Sequence, residues 1–187
     1  MHKAIRIKLQ KAERGYDPSA SHFFGSLAIP GKWRDEMHDE MIFIGQIRLT
    51  DIADLDEENR LPHTGMLYFF LDVENSSAEE PAEAVVRWYD GEPNAILDDV
   101  NVDSPFPETM DEAFMMEFEP CEPDAAGMKL FGEPSGLQEG HGRLLLQYDP
   151  SDLPEVSFLQ TAERCACFMF GEDESRLEDV TYFSRRL

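Results

Sequence analysis

The chain has 187 residues, and its 42% hydrophobic and 11% aromatic content is enough to fill the core of one domain. Its 39 acidic residues outnumber the 16 basic ones and give a formal net charge of −23. This charge disfavours nucleic acid and anionic membrane surfaces, and we expect neither as a partner, because both are bound mainly through Lys and Arg. It favours solubility and allows a basic protein as partner, attracted by long-range electrostatics; the alternative is that the charge is the ordinary acidity of many bacterial cytosolic proteins.

The N-terminal stretch and the cysteines predict a cytoplasmic protein. The first residues contain no long apolar run of the kind found in a signal peptide, and no segment reaches the roughly 20 apolar residues of a membrane span. The three cysteines, Cys121, Cys165 and Cys167, form no Cys-x-x-Cys motif. Reduced thiols in the cytosol are the simplest interpretation.

The first half of the chain reads as a series of strands. Ala4–Leu9 alternates apolar and basic residues, as a half-buried strand does. Met41–Leu49 and Met66–Val73 are longer apolar runs, and the second is apolar almost throughout, which is typical of a strand buried on both faces. Between them the pattern predicts a short helix over Ile52–Leu55 and a turn in which Gly65 supplies a positive φ or a close approach.

A further strand, Glu83–Tyr89, leads into the most acidic part of the sequence. Residues 90–127 contain no Lys or Arg and are broken repeatedly by Pro, so we interpret them as an acidic connecting loop. Within this loop, partly periodic apolar residues predict one short helix at about Met110–Phe118.

The acidic loop also contains a pattern that begins like a calcium site. Asp99, Asn101 and Asp103 have the spacing of the first ligands of an EF-hand. Ser104 and Met110 stand where that motif requires Gly and Glu, so the EF-hand interpretation fails. We expect no metal site, with a looser calcium site in this loop as the alternative.

The C-terminal part repeats features of the first half in the same order. Its predicted strands are Leu144–Tyr148, Cys165–Phe170 and a final one within Leu177–Phe183. The matching features are Phe24-Gly25 with Phe131-Gly132, Gln46 with Gln147 in apolar strands, and Met66–Phe70 with Cys165–Phe170. We interpret this order as a degenerate duplication within one domain, residues 1–187, whose halves span about 21–89 and 128–183.

Several of these segments together match the pattern of a known family. The matching segments are Phe43-Ile-Gly-Gln-Ile47, Leu61-Pro62, Gly65-Met-Leu-Tyr-Phe-Phe70, Gly132-Glu133-Pro134 and Leu144-Leu-Leu-Gln-Tyr148. In them the chain resembles the YwqG-like family of uncharacterised bacterial proteins. The resemblance implies a mainly β, β-rich α+β domain with antiparallel, roll-like sheets, two related halves and a few short helices. It implies no known reaction.

No catalytic constellation is visible in the sequence. The five histidines form neither His-Glu-x-x-His nor His-x-His, and no nucleophile motif has the required spacing. We therefore expect no catalytic residue and no cofactor. His141, between two glycines, is the histidine where backbone would most easily approach a ligand, and we include it among the candidate binding residues.

The remaining candidates are polar groups in apolar strands and in the acidic loop. Gln46 and Gln147 must hydrogen-bond if buried, because an unsatisfied amide costs about 1–3 kcal/mol. In a structural interpretation each amide pins a loop backbone or a strand crossing. In a functional one both face a cleft between the halves. Tyr68 and the loop carboxylates complete the set, namely Asp98, Asp99 and Asp103.

These observations leave three hypotheses for function. The first is a non-catalytic binding or interaction protein that engages a basic partner through the acidic loop. The second is a small-molecule-binding protein or hydrolase with a cleft between the repeats and His141 or His63 near Gln147. The third is a purely structural module.

Overall fold

A computed structural model describes residues 4–38, 40–74, 82–98, 111–135, 143–149 and 164–186. Within these ranges the chain is mainly β, and its helical segments are short 3-10 turns at Gly31–Glu36, Leu49–Asp51 and Leu177–Asp179. The strands are β1 (Ala4–Lys11), β2 (His22–Phe23), β3 (Leu27–Ile29), β4 (Met41–Arg48), β5 (Met66–Asp72), β6 (Glu83–Tyr89), β7 (Ala95–Leu97), β8 (Phe114–Cys121), β9 (Lys129–Leu130), β10 (Leu144–Tyr148), β11 (Arg164–Met169) and β12 (Thr181–Arg186). No helical segment in the described part of the chain is long and apolar enough to cross a membrane.

One antiparallel sheet dominates the fold. Its ten strands among the described residues run in the order β12-β11-β10-β9-β1-β8-β2-β4-β5-β6, and β3 pairs with β7 in a separate ribbon. The two edge strands, β6 and β12, lie close to one another, so the sheet is nearly closed on itself. The predicted mainly β, roll-like architecture is confirmed.

Apolar residues cover both faces of β4 and β5. On the inner face Phe69 meets Phe168 of β11, with ring centroids 5.3 Å apart, in the core shared by both halves of the sheet. On the outer face Phe43, Tyr68 and Phe70 form a second cluster against the β3–β7 ribbon. This double burial explains why the segment around β5 is apolar at almost every position.

The strand order has an internal symmetry. Reading inwards from the two edges, β6, β5, β4 and β2 correspond to β12, β11, β10 and β9, and β8 and β1 meet in the middle. β4 and β10 even carry their register irregularity at corresponding places, next to Ile44 and Leu145. Each bulge carbonyl accepts a hydrogen bond from an equivalent residue, Phe24 or Phe131, at 2.9 and 3.2 Å.

The helix predicted at Met110–Phe118 is wrong, because the described residues of this segment enter strand β8. β8 pairs with β1 along its whole length, so Phe114 and Met116 face the core while acidic side chains face outwards. The basic face of β1 complements them, as in the 2.5 Å bond from Lys8 Nζ to Glu119. Pairing with a distant strand overrides the weak helical pattern.

Two smaller sequence predictions are also refined. The chain after β4 forms the 3-10 turn Leu49–Asp51 rather than a helix over Ile52–Leu55. Residues 90–127 are not all loop, since they include β7 and β8. The prediction for Gly65 is confirmed: its φ is +79°, and a Cβ there would collide with the carbonyl oxygen of Tyr89.

Candidate binding cleft

Gln46 is fully buried and fastens the loop that precedes β2. Its Oε1 accepts the backbone N–H of Ala28 at 3.2 Å. Its Nε2 donates to the carbonyl oxygens of Pro18 and Ala20 at 2.9 and 3.0 Å. Both amide hydrogens are therefore used on loop backbone inside the protein.

Gln147 makes a similar set of bonds in the second half, of which two are at equivalent positions. Its Oε1 accepts the N–H of Ser135 at 2.7 Å, and its Nε2 donates to Gly127 O at 2.7 Å and to Ser135 Oγ at 3.1 Å. Ala28 and Ser135 each lie three positions after the Gly of a Phe-Gly pair, and Ala20 and Gly127 each lie five before it. These bonds agree with the structural interpretation of the two glutamines, in which each amide pins a loop backbone. A ligand role for either glutamine stays a prediction.

A buried basic side chain sits opposite each glutamine. His22 pairs with Gln46 across β2 and β4, and Lys129 pairs with Gln147 across β9 and β10. Lys129 Nζ donates to the carbonyl oxygens of Pro123 and Ala125 at 2.8 and 2.7 Å. Each side chain thus ties a strand to the loop before it.

The His22 ring lies between two backbone carbonyls. Its Nδ1 is 2.7 Å from Phe24 O, and its Nε2 is 3.1 Å from Pro18 O. Burial lowers the pKa of His22, although both carbonyls and the charge of Asp17 act in the opposite direction. A neutral ring donates through only one nitrogen, so this site is sensitive to protonation.

The other predicted site residues do not converge. Asp98 is exposed at the end of β7 and accepts the Ser26 hydroxyl at 2.7 Å. Tyr68 is buried, its hydroxyl has no hydrogen-bond partner among the described residues, and burial raises its pKa. Its ring packs edge-on against Trp33, with centroids 5.5 Å apart. Asp99, Asp103 and His141 lie outside the described residues.

A cleft of about 440 Å³ opens at the seam where the first half of the sheet meets the C-terminal segment. In the described part of the chain, three elements line this seam cleft: the Gly31–Glu36 turn, edge strand β6, and the segment that ends in the Leu177–Asp179 turn. The lining residues are Trp33, Glu36, Val86, Arg87, Trp88, Ser175, Leu177 and Glu178. Both tryptophans of the chain are among them.

One wall of the seam cleft already holds a guanidinium group. Arg87 Nη1 is 2.7 Å from Glu36 Oε2, and the guanidinium carbon lies 5.4 Å from the centre of the Trp33 ring. A carboxylate partner and an aromatic face are the two groups that Arg prefers. Glu36 and Trp33 thus already bind a basic side chain, that of Arg87, which shows the kind of group that suits this wall.

Trp88 presents a second indole in the same cleft. Its side chain is held by a 3.0 Å bond from Nε1–H to the carbonyl oxygen of Thr64, yet the residue is 40% exposed. A large aromatic side chain that is fixed and exposed can bind with little loss of conformational entropy, which is why Trp is enriched at binding hot spots.

The opposite wall supplies a carboxylate. Glu178 is exposed, and its pKa lies below the ordinary value because its own backbone N–H donates to the carboxylate and Arg176 pairs with it at 3.2 Å. Glu178 is therefore ionised at neutral pH. Exposed ion pairs of this kind contribute little free energy, so a partner's basic group can compete for the carboxylate.

Of the two histidines in the hydrolase hypothesis, His141 lies outside the described residues, and His63 is not among the described residues that line the seam cleft. His63 instead lies 3.6 Å from the buried carboxylate of Asp56, measured from Nε2 to Oδ2. In the described part of the chain no group of three or more His, Cys, Asp or Glu side chains is arranged to hold a metal ion.

Comparison with known proteins places the sequence in a family. A model described as "Domain of unknown function (DUF1963)" matches residues 30–130, more than half of the chain. The chain belongs to the DUF1963 family. No curated protein matches the sequence. The DUF1963 match includes the walls of the seam cleft formed by the Gly31–Glu36 turn and β6, whereas Ser175–Glu178 lies beyond it.

Sequence reasoning did not single out the residues of the seam cleft. In the sequence, Trp88 lies among apolar residues of a predicted strand, and this pattern is typical of a core residue. One signal in the sequence could have found these residues. The chain has only two tryptophans, and each has an arginine as neighbour, Arg34 or Arg87. What brings them together with Glu178 is closure of the sheet, which local sequence patterns do not encode.

Proposed function

We propose that this DUF1963 protein is a non-catalytic binding protein that engages a basic partner at the seam cleft. The observation that carries the proposal is the convergence of both tryptophans with the carboxylates of Glu36 and Glu178. The net charge of −23 adds attraction over longer distances. The wider acidic surface, including Asp98, would steer the partner rather than anchor it.

Arg87 supports this proposal from within the chain. It is stacked near Trp33 and paired with Glu36, which is the arrangement that we propose for a partner's Arg or Lys between Trp88 and Glu178. The cytoplasmic location and the YwqG-like relationship inferred from sequence are parts of the same proposal. So is the origin of the two halves by duplication.

The test uses a short acetylated peptide of alternating Arg and Thr, with a peptide of alternating Glu and Thr as its control. We expect the basic peptide to bind, and its affinity to fall by about tenfold between roughly 50 and 300 mM salt. Glu178→Gln should weaken binding by about threefold, the effect expected of one exposed charge.

Glu117→Gln is the matched control, since it removes the same charge from an exposed position on β8 outside the cleft lining. We expect it to change the affinity much less than Glu178→Gln. Equal effects of the two variants would mean that the peptide responds to net charge alone, and the proposal for the seam cleft would be wrong.

A further inference from the structure

In the described part of the chain, no hydrogen bond joins β6 to the segment that packs against its outer edge. This segment, residues 171–180, follows β11 and contains the Leu177–Asp179 turn, and we call it the seam segment. β6 pairs with β5 on one side, whereas β6 and β12 stand at the two ends of the strand order without pairing to each other. Closure of the sheet therefore lacks the backbone bonds that join neighbouring strands elsewhere in it.

The ion pairs that border the seam cleft also stay on their own sides of the seam. Arg87 of β6 pairs with Glu36 of the Gly31–Glu36 turn, and both belong to the first half of the sheet. Arg176 pairs with Glu178, and both belong to the seam segment. The two sides can therefore separate without loss of an ion pair between described residues.

The seam segment is held in shape by bonds of its own. The Arg176 N–H donates to Asp173 O at 3.0 Å, and the Ser175 hydroxyl donates to Asp173 Oδ1 at 2.6 Å. Glu174 pairs at 2.9 Å with Arg143, the residue before β10. The segment can thus leave β6 as a unit and stay attached to the second half of the sheet.

Apolar packing is what holds the seam segment against β6. Val86 of β6 and Val180 of the seam segment are both buried in the core that the two halves share, and Leu177 packs against this core. A region held by a few apolar contacts opens locally at a lower free energy than global unfolding requires. The seam is therefore the place where we expect the sheet to open first.

Residues from both sides of the seam form the cleft. Trp33, Glu36 and Trp88 come from the first half, and Ser175 and Glu178 come from the seam segment. The complete cleft exists only when the segment is docked. A ligand that contacts both walls binds this closed arrangement, so it shifts the equilibrium towards closure.

We infer that the seam is a docking joint, in which the seam segment separates from β6 without global unfolding and a basic partner bound in the cleft holds it closed. This inference rests on the proposed function and adds the conformational change that regulates the same site. Because binding and closure are linked, a change that weakens docking also weakens binding of the partner.

Thiol labelling of the intact protein under native conditions tests whether the seam opens. Val180→Cys places a thiol where the side chain is only 5% exposed and does not line the cleft. Mass spectrometry measures its labelling rate beside that of the native Cys167, which is buried in β11. We expect the introduced thiol to react at least about tenfold faster than Cys167, and faster than global unfolding of the variant, measured in urea, permits.

The alternating Arg-Thr peptide at saturation provides the second readout. Since Val180 is not among the described residues that line the cleft, we expect the peptide to slow its labelling by holding the seam closed, by at least about tenfold. The alternating Glu-Thr peptide is the control and should leave the rate unchanged. Leu177→Ala, combined with Val180→Cys, should speed labelling by about fivefold, because it removes apolar contact across the seam.

The possible outcomes separate the two proposals. Labelling of the Val180→Cys thiol only as fast as global unfolding permits would overturn the docking joint and leave the proposed function in place. Fast labelling that bound peptide does not slow would also overturn it, because the partner would then not hold the seam closed. Failure of the basic peptide to bind would overturn the proposed function, and with it the partner's part in closing the seam.

Discussion

The buried polar residues of this protein connect strands to loops. Gln46 and Gln147 each use an amide oxygen and both amide hydrogens on groups that lie before and after the neighbouring strand. A buried backbone group that loses its partner keeps its desolvation cost, so these side chains stabilise the segments to which they are bonded. Their position in apolar strands could be read from the sequence, and so could their need for partners. Which groups they bind could not.

Replacing either glutamine by methionine preserves its shape and removes its hydrogen bonds. We expect Gln46→Met and Gln147→Met each to lower the free energy of unfolding by about 3 kcal/mol, because each leaves backbone groups unsatisfied in the interior. Urea denaturation measures this loss. Gln10→Met, at an exposed position of β1, is the control and should stay within about 0.5 kcal/mol of the parent. Losses below about 1 kcal/mol for both buried glutamines would contradict the account.

The stability of the protein should depend on pH through His22. Burial lowers the folded-state pKa of His22 from 6.5, so the unfolded chain binds the proton more readily. The free energy of unfolding should therefore fall as the pH decreases through about 6.5 and below, and His22→Gln should flatten this dependence. Asp17, whose pKa is lowered from 3.8 by hydrogen bonds from Ser19, titrates below this window. An unchanged pH dependence in His22→Gln would assign the effect to other groups.

At the level of elements, tight backbone approaches hold the turns against the strands. Gly65 lies against the backbone of Tyr89 at the end of β6, which helps to fix the strand that forms one wall of the seam cleft. Its φ of +79° is one that residues with side chains rarely adopt. We therefore expect a change at Gly65 to affect the position of β6 and of the cleft wall that it forms.

Gly65→Ala should be strongly destabilising. We expect the free energy of unfolding to fall by more than about 2 kcal/mol, because a Cβ at this position adds a collision with backbone to the cost of the positive φ. Gly15→Ala is a matched control, since Gly15 has a φ of +83° but open space around its Cα. It should cost only about 1 kcal/mol. Similar losses in the two variants would show that the close approach contributes nothing.

Predictability differed between elements for physical reasons. β4 and β5 were predictable because both faces of each strand are buried, which leaves a dense apolar pattern in the sequence. β8 was not, since its strand form depends on pairing with β1, far away in the sequence. The seam cleft is the extreme case, because Trp88 and Glu178 come together only when the sheet closes.

At the level of the whole molecule, acidic and basic side chains differ in how far ion pairs within the fold can engage them. Basic side chains of β1 and β6 are engaged in ion pairs within the fold, such as Lys11–Glu112 and Arg87–Glu36. With 39 acidic and 16 basic residues, such pairing leaves a large excess of carboxylates. This excess attracts basic partners in general. The seam cleft adds aromatic contacts, which are short-range and therefore selective.

The affinity of the Trp88→Ala variant for the alternating Arg-Thr peptide tests this account most directly. Ile96→Ala is the matched control, because Ile96 is also a large exposed hydrophobic residue but lies on β7 outside the cleft lining. The free energy of unfolding of both variants is measured alongside to confirm folding. If the seam cleft binds the basic partner, Trp88→Ala lowers the affinity by about tenfold and Ile96→Ala leaves it nearly unchanged. Equal affinities of the two folded variants would contradict the account.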